Sequence, residues 1–306
     1  MNIGFIGLGQ MGGGMAANLL EWCKVNGHTL MVLDLNAEAV ERMVEGGALH
    51  GQNVANVAQQ CTVLFTSLPT AREVNAVALG DEGIFANADA LEVWFETSTN
   101  ALADWDELKA VAPDDLLLID APVTGGAEGA AAGTLTMLIG AEPLVLERFE
   151  SLLSAFTKKR VVMGPSGAGY VAKLCQLHLN YLVAQGIGEA LMLGKRAELD
   201  MDTLWDVLNS SCARSYVVES YVPKVLDGSY DPSFTLALAT KDMRLISELG
   251  EHLTVPLTLG DTVFDSYRDA LSQYGDKAPH LSIVRLIEEH TGQLLRSNAG
   301  GPERTV

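Results

Sequence analysis

Three features of this 306-residue chain combine residue types and spacing that could do chemistry. They are a glycine-patterned turn, a threonine–glycine loop and one lysine in an apolar helical run. The turn, Gly7-Leu8-Gly9-Gln10-Met11-Gly12, ends the apolar run 2–7 and opens the helical pattern 11–25. Gly7 permits a tight strand-to-helix turn, Gly9 lets backbone approach a pyrophosphate, and Gly12 lets the helix pack closely on a sheet. The chain has 30 glycines, so the pattern alone is weak, and a plain glycine turn with a surface Asp is the alternative. Its context strengthens it, because Asp34 closes the next apolar run about twenty residues further on. A carboxylate there accepts adenosine ribose hydroxyls and repels a 2′-phosphate, and position 35 is Leu rather than Arg. The pattern therefore points to NAD, with NADP possible because Asn36 can tolerate a nearby phosphate.

The second feature is Asp120-Ala-Pro-Val-Thr124-Gly125-Gly126, which follows an apolar run. Thr124 offers a hydroxyl, and Gly125 and Gly126 expose backbone N–H groups, a geometry suited to a carboxylate; an ordinary glycine loop would read the same. The third is Gly167-Ala-Gly169-Tyr-Val-Ala-Lys173. At helical spacing Lys173 shares a stripe with Gln176, Leu177 and Asn180. A lysine and two amides on a mostly apolar helix cost burial energy unless function recovers it. Lysine can exchange a proton with a hydroxyl or developing alkoxide once its surroundings tune it. A snorkelling lysine beside solvated amides is the plainer alternative. No His or Cys spacing suits a metal, so none is expected.

The elements that must hold these residues follow from the apolar pattern. Runs at 2–7, 29–34, 62–66, 92–96, 116–120, 135–139 and 160–163 predict strands, with helical stretches such as 37–45 between them. That alternation predicts βαβ units and a parallel sheet. Beyond Gly164 the chain reads as helix alone, with one run at 168–197 and others near 202–210, 213–227, 236–251, 256–274 and 281–296. The expected organisation is an α/β domain over residues 1–164 and an all-α domain over 165–296. A long inter-domain helix joins them, and a frayed tail covers 297–306.

Composition narrows the function classes. Lys plus Arg number 20 against 39 Asp plus Glu, a net charge of −19. So acidic a chain repels phosphate backbones and anionic lipid, which opposes nucleic acid or membrane partners. Four scattered cysteines with no CxxC pair argue against a disulfide scaffold and suit the cytoplasm. No apolar stretch is long enough to span a membrane.

Gly4 to Gly12, Met15-Ala-Ala-Asn18, Leu68-Pro69, Ser98-Thr99, Asp120 to Gly126, Gly167 to Lys173 and Lys241-Asp242 occur in order. Together they resemble the β-hydroxyacid dehydrogenase family over roughly residues 2–295. The resemblance implies a Rossmann domain followed by a helical domain, and NAD(P)-dependent exchange of a 3-hydroxy acid with its semialdehyde. It places Lys173 on the catalytic lysine and Thr124, Gly125 and Gly126 on the substrate-carboxylate loop. Leu68, Pro69, Thr99 and Lys241 fall on dinucleotide contacts, alongside Gly7 to Gly12, Asp34 and Leu35. A small anionic hydroxy acid or semialdehyde and a homodimer or homotetramer are implied as partners. The physiological substrate could be of the 3-hydroxyisobutyrate type, or a tartronate semialdehyde, succinic semialdehyde or sulfolactaldehyde type.

The chain also departs from the family. Asn is common three and four residues after the lysine, where this chain has Gln176 and Leu177, and Thr124 stands where Ser is usual. Arg214 occupies a position where small residues are common. Two readings of it stay open: a surface Arg paired with one of the many acids, or a grip on a distal anionic group of the substrate. Lys173 separates this chain from imine reductases and from non-catalytic dinucleotide-binding modules, which lack it.

Overall fold

The computed structural model describes residues 1–297 and divides into two compact units, residues 1–173 and 174 onward. In the first unit the strands are β1 (Asn2–Ile6), β2 (Thr29–Leu33), β3 (Leu49–His50), β4 (Val63–Thr66), β5 (Val93–Glu96), β6 (Leu117–Asp120), β7 (Val123–Thr124), β8 (Leu135–Gly140) and β9 (Thr157–Gly164). Its helices are α1 (Gln10–Asn26), α2 (Ala37–Glu45), α3 (Val54–Gln60), α4 (Ala71–Ala78), α5 (Leu102–Lys109), α6 (Gly126–Ala132) and α7 (Pro143–Leu153), with α8 (Ala168–Arg196) running on into the second unit. There α9 (Met201–Ser210), α10 (Tyr216–Leu226), α11 (Leu236–His252), α12 (Thr258–Tyr274) and α13 (Ile283–Thr291) follow, with no strand among the described residues.

The sheet runs β3-β2-β1-β4-β5-β6-β8-β7, with β9 on β8. Its connections reverse direction between β1 and β4, where a ligand crevice opens at the strands' carboxyl ends. The predicted parallel pairing holds except where β8 runs antiparallel to β6 and β7. Alternation along the strands feeds two cores. Phe65 and Phe95 join one face of the sheet, their rings stacked 5.0 Å apart. Leu64 and Trp94 join the other, where Trp94 meets Trp105 edge to face. This Rossmann architecture followed by helices is the fold class that the sequence implies.

Two boundaries differ from the sequence expectation. The last helix ends at Thr291 rather than near 296, because Gly292 takes a left-handed conformation (φ 67°) and closes it. Ser297, expected to begin a frayed tail, donates its backbone N–H to Leu226 and its hydroxyl to Asp202. The rest of that expected tail, 298–306, lies outside the described residues. No described helix is long and apolar enough to cross a membrane, and no described cluster of His, Cys, Asp and Glu could hold a metal.

Within the second unit Asp231 sits buried with φ 58°, accepting hydrogen bonds from Lys224 Nζ (2.9 Å), Ser233 Oγ (2.6 Å) and His280 Nε2 (3.1 Å). Burial alone would raise its carboxyl, but the bonds from His280, Ser233 and Lys224 hold it well below the usual carboxylate range. A depressed folded value gives stability that is present above the unfolded value, near 3.9, and lost as pH falls through the folded one. Asp231→Asn keeps a residue type that accepts positive φ while removing the charge. We expect it to cost about 3 kcal/mol at pH 7 and progressively less below about pH 4. Urea unfolding across that range checks this, and a pH-independent penalty would contradict it.

Candidate active site

The glycine turn lies at the reversal point of the sheet. Gly7 has φ 97°, and a Cβ on it would overlap the Ser67 carbonyl of the β4 loop. A Cβ on Gly12 would overlap the Gly7 carbonyl, whereas at Gly9 it would meet nothing within 4 Å. Gly9 is the N-cap of α1 and brings no side chain to its first-turn N–H groups. The helix N-terminus is thus left for an anion, with open space at the glycine where a pyrophosphate would approach. Asp34 stands beside it, accepting Leu8 N–H (2.5 Å) and Asn36 N–H (2.7 Å). Gln10 and Leu35 are exposed, and Met11 packs partly into the core. Leu68 N–H donates to Ser98 Oγ (2.8 Å), which ties the Leu68-Pro69 loop to the Ser98-Thr99 loop. These residues fit a dinucleotide on geometry alone.

Thr124 ends β7 opposite Thr136, and Gly125 (φ 132°) and Gly126 (φ 68°) follow it, both exposed. Two successive exposed glycines at positive φ leave the backbone unobstructed by side chains, as an anion-binding turn requires. The α6 helix they open packs against α1 so closely that a Cβ on Gly14 would lie 2.8 Å from the Ala130 backbone. Asn18 Nδ2 donates to the carbonyls of Ala130 (2.9 Å) and Ala131 (3.1 Å), locking this loop to the helix that begins at the glycine turn.

Lys173 lies in the second turn of α8 and is 8 % exposed. The start of α8 is fixed from the sheet by a residue whose role the sequence reading missed. Asp120, at the end of β6, is fully buried and accepts Gly167 N–H (2.6 Å) and Tyr170 N–H (3.1 Å). Gly167 has no side chain to cap this helix, so a carboxylate from β6 does so. Burial pushes the Asp120 carboxyl up to about 6, against the pull of those N–H groups. Glu96, at the end of β5, is also fully buried and accepts the Tyr170 hydroxyl. The available signal was a carboxylate closing each of two otherwise apolar strands.

The remaining predicted residues belong to the second unit. Gln176 is half-buried and Leu177 buried on α8. Asn180 accepts the Tyr221 hydroxyl on Oδ1 (3.2 Å), and burial pushes that hydroxyl up to about 12. Lys241 Nζ lies 3.1 Å from Asp242, which also accepts the Tyr181 hydroxyl (2.7 Å). Arg214 is exposed on the segment before α10, its Nη2 3.5 Å from Glu219, a surface pair of the kind that is worth little. The structure thus places the glycine turn, Asp34, Leu68, Pro69 and Thr99 at the carboxyl ends of β1, β2, β4 and β5. It holds Gln176, Asn180 and Lys241 on helices of the other unit, and Arg214 on the segment between α9 and α10 there.

A family profile described as the NAD binding domain of 6-phosphogluconate dehydrogenase matches residues 2–164. A second, described as NAD-binding of NADP-dependent 3-hydroxyisobutyrate dehydrogenase, matches residues 167–287. The chain belongs to the β-hydroxyacid dehydrogenase family. Among its relatives is an NAD-dependent L-serine dehydrogenase of Pseudomonas aeruginosa, 32 % identical over 299 residues, covering 95 % of this chain and 99 % of that protein. A 2-(hydroxymethyl)glutarate dehydrogenase of Eubacterium barkeri is also 32 % identical, over 95 % and 96 % of the two chains. The solved 3-hydroxyisobutyrate dehydrogenase of Mycobacterium tuberculosis with L-serine superposes with a TM-score of 0.83 at 26 % identity, covering 94 % and 98 %. These members of the β-hydroxyacid dehydrogenase family are oxidoreductases, and so is this chain, with a nicotinamide dinucleotide as its cofactor.

Proposed function

We propose that this protein interconverts a small 3-hydroxy acid and its semialdehyde, preferring NAD, with Lys173 as the general acid–base. The observation that carries the reading is a buried lysine on the helix whose first turn is anchored at the carboxyl ends of the sheet strands. The Gly7 to Gly12 turn, Asp34, Leu68, Pro69, Thr99 and Lys241 would hold the dinucleotide. That group, when bound, supplies the hydride chemistry. Thr124 and the Gly125 and Gly126 amides hold the substrate carboxylate, while Gln176 and Asn180 line the path of its hydroxyl-bearing carbon. Lys173 Nζ takes the hydroxyl proton during oxidation and returns it during reduction. NADH formation with a panel of 3-hydroxy acids tests this, and no turnover with any of them would sink it.

The dinucleotide-binding part corresponds in this reading to residues 1–164 and the substrate and assembly part to 165–296. Free thiols at Cys23, Cys61, Cys175 and Cys212 suit the cytoplasm. Along α8, Leu179, Gly186 and Leu193 are exposed at seven-residue intervals, an apolar stripe that supports a homodimer or homotetramer. Sedimentation at micromolar concentration should give a multiple of the 32.6 kDa chain mass. A single 32.6 kDa species would refute assembly.

The exposure of Arg214, with only a long surface pairing to Glu219, favours one refinement, a substrate with a second anionic group, and the glutarate relative acts on such a molecule by its name. The Arg fork would grip the distal group. Arg214→Ala should then raise KM for a doubly anionic hydroxy acid about tenfold to a hundredfold and leave 3-hydroxypropionate almost unchanged. Equal effects on both, or none, would return Arg214 to the role of a surface charge.

A further inference from the structure

Glu96 gathers five hydrogen-bond donors around one carboxylate that has no access to water. Oε1 accepts the Ser98 backbone N–H (3.0 Å), the Ser98 hydroxyl and the Thr66 hydroxyl (3.3 Å). Oε2 accepts Asn100 Nδ2 (3.2 Å) and the Tyr170 hydroxyl. The direction of each bond is fixed by what lies behind it. Thr66 Oγ1 already accepts the Trp94 indole N–H (2.8 Å), so its own proton goes to Glu96. Ser98 Oγ already accepts Leu68 N–H (2.8 Å), so its proton goes there too. Burial pushes this carboxyl up and the donors from Ser98, Tyr170 and Thr66 pull it down, while Tyr170 is itself raised well above the usual phenol range.

The chain of bonds therefore runs from the Leu68 backbone through Ser98 and Glu96 to Tyr170. One end is the loop pair read as contacting the dinucleotide; the other is three residues before Lys173 on the same helix. Tyr170 is held twice, by its N–H on Asp120 and by its hydroxyl on Glu96, and its ring packs edge to face on Trp105 at 5.4 Å. We propose that Glu96 and Tyr170 are positioning residues that make the lysine-bearing turn and the cofactor-side loops one hydrogen-bonded unit, so that filling the dinucleotide site orders the turn that carries Lys173. The proposal rests on the reading of Leu68 and Thr99 as cofactor contacts and of Lys173 as the acid–base. Its consequence is that occupancy by the hydride carrier and the placement of the proton-transfer group are coupled.

Hydrogen exchange of the full chain with and without saturating NAD tests the coupling directly. In the wild type NAD should slow exchange of the amides at 7–13 and also at 167–173, the latter about fivefold or more. Tyr170→Phe keeps the ring on Trp105 and removes only the hydroxyl, so NAD should still protect 7–13 but no longer 167–173. Ser98→Ala cuts the same chain at its other end and should uncouple the turn with Tyr170 intact. In turnover assays Tyr170→Phe should lose about tenfold in kcat with KM for NAD little changed, the pattern of a displaced reacting group rather than a lost binding contact. NAD-dependent protection of 167–173 that persists in both variants would overturn the proposal, since direct cover by the dinucleotide would survive these substitutions. Its absence in the wild type would overturn it too. No protection at 7–13 would mark failure of the dinucleotide reading itself and would remove the proposal with it. Turnover failing for every hydroxy acid while the exchange pattern holds would sink the substrate reading alone.

Discussion

Replacing Lys173 with alanine should lower kcat by about a hundredfold or more, the usual worth of a positioned general acid–base group. NAD affinity should stay near the wild-type value. The two expectations separate because the residues read as holding the dinucleotide on the sheet lie at the ends of β1, β2, β4 and β5, not on α8. In oxidation the alcohol proton must leave as the hydride does, and no other buried amine is present among the described residues. Water can substitute for the missing amine only in part, so residual turnover should rise with added small primary amines that fit the vacated space. Steady-state kinetics with a 3-hydroxy acid and calorimetric titration with NAD check both halves. Near-normal turnover in the alanine variant would remove Lys173 from the mechanism.

The wild-type enzyme should prefer NAD over NADP by at least tenfold in kcat/KM, about 1.4 kcal/mol or more. Asp34 is the cause: its carboxylate stands against the glycine turn through Leu8 N–H, where an adenosine ribose would present its hydroxyls. A 2′-phosphate there meets like charge, and no arginine follows to answer it. Asp34→Asn removes the charge while retaining an acceptor for Leu8, and should bring the two cofactors close to parity. Kinetics with each cofactor decide the matter; equal efficiency in the wild type would overturn it, as would an undiminished preference in Asp34→Asn.

Much of this site could be read from the chain because its parts are local. The glycine turn needs only its own strand and helix, and Asp34 ends the very next strand. Lys173 stands out because a charge interrupts an apolar helical period. What could not be read depends on meetings between distant segments. Nothing near Glu96 announces that Tyr170, 74 residues away, donates to it. Asp120 was visible as the start of a loop motif, yet its work as the cap of α8 appears only when β6 lies against residues 167–170. The antiparallel turn of β8 was equally hidden, since a short apolar strand reads alike in either direction. The early end of the last helix was in principle legible at Gly292, where a glycine follows the periodic residues.

The packing around Asp120 constrains how such a chain can drift. A Cβ at Gly140 would overlap its carboxylate, and one at Gly169 would come within 2.8 Å of it and 2.6 Å of the Leu138 carbonyl. Three positions on β6, β8 and α8 therefore share one small volume, and none can change alone. Lineages that alter the carboxylate should do so together with one of the glycines, or not at all. Mutational libraries that vary Gly140 or Gly169 singly will sample mostly misfolded variants, so the accessible routes to a new pocket run through the Thr124 loop and the helices beyond Lys173.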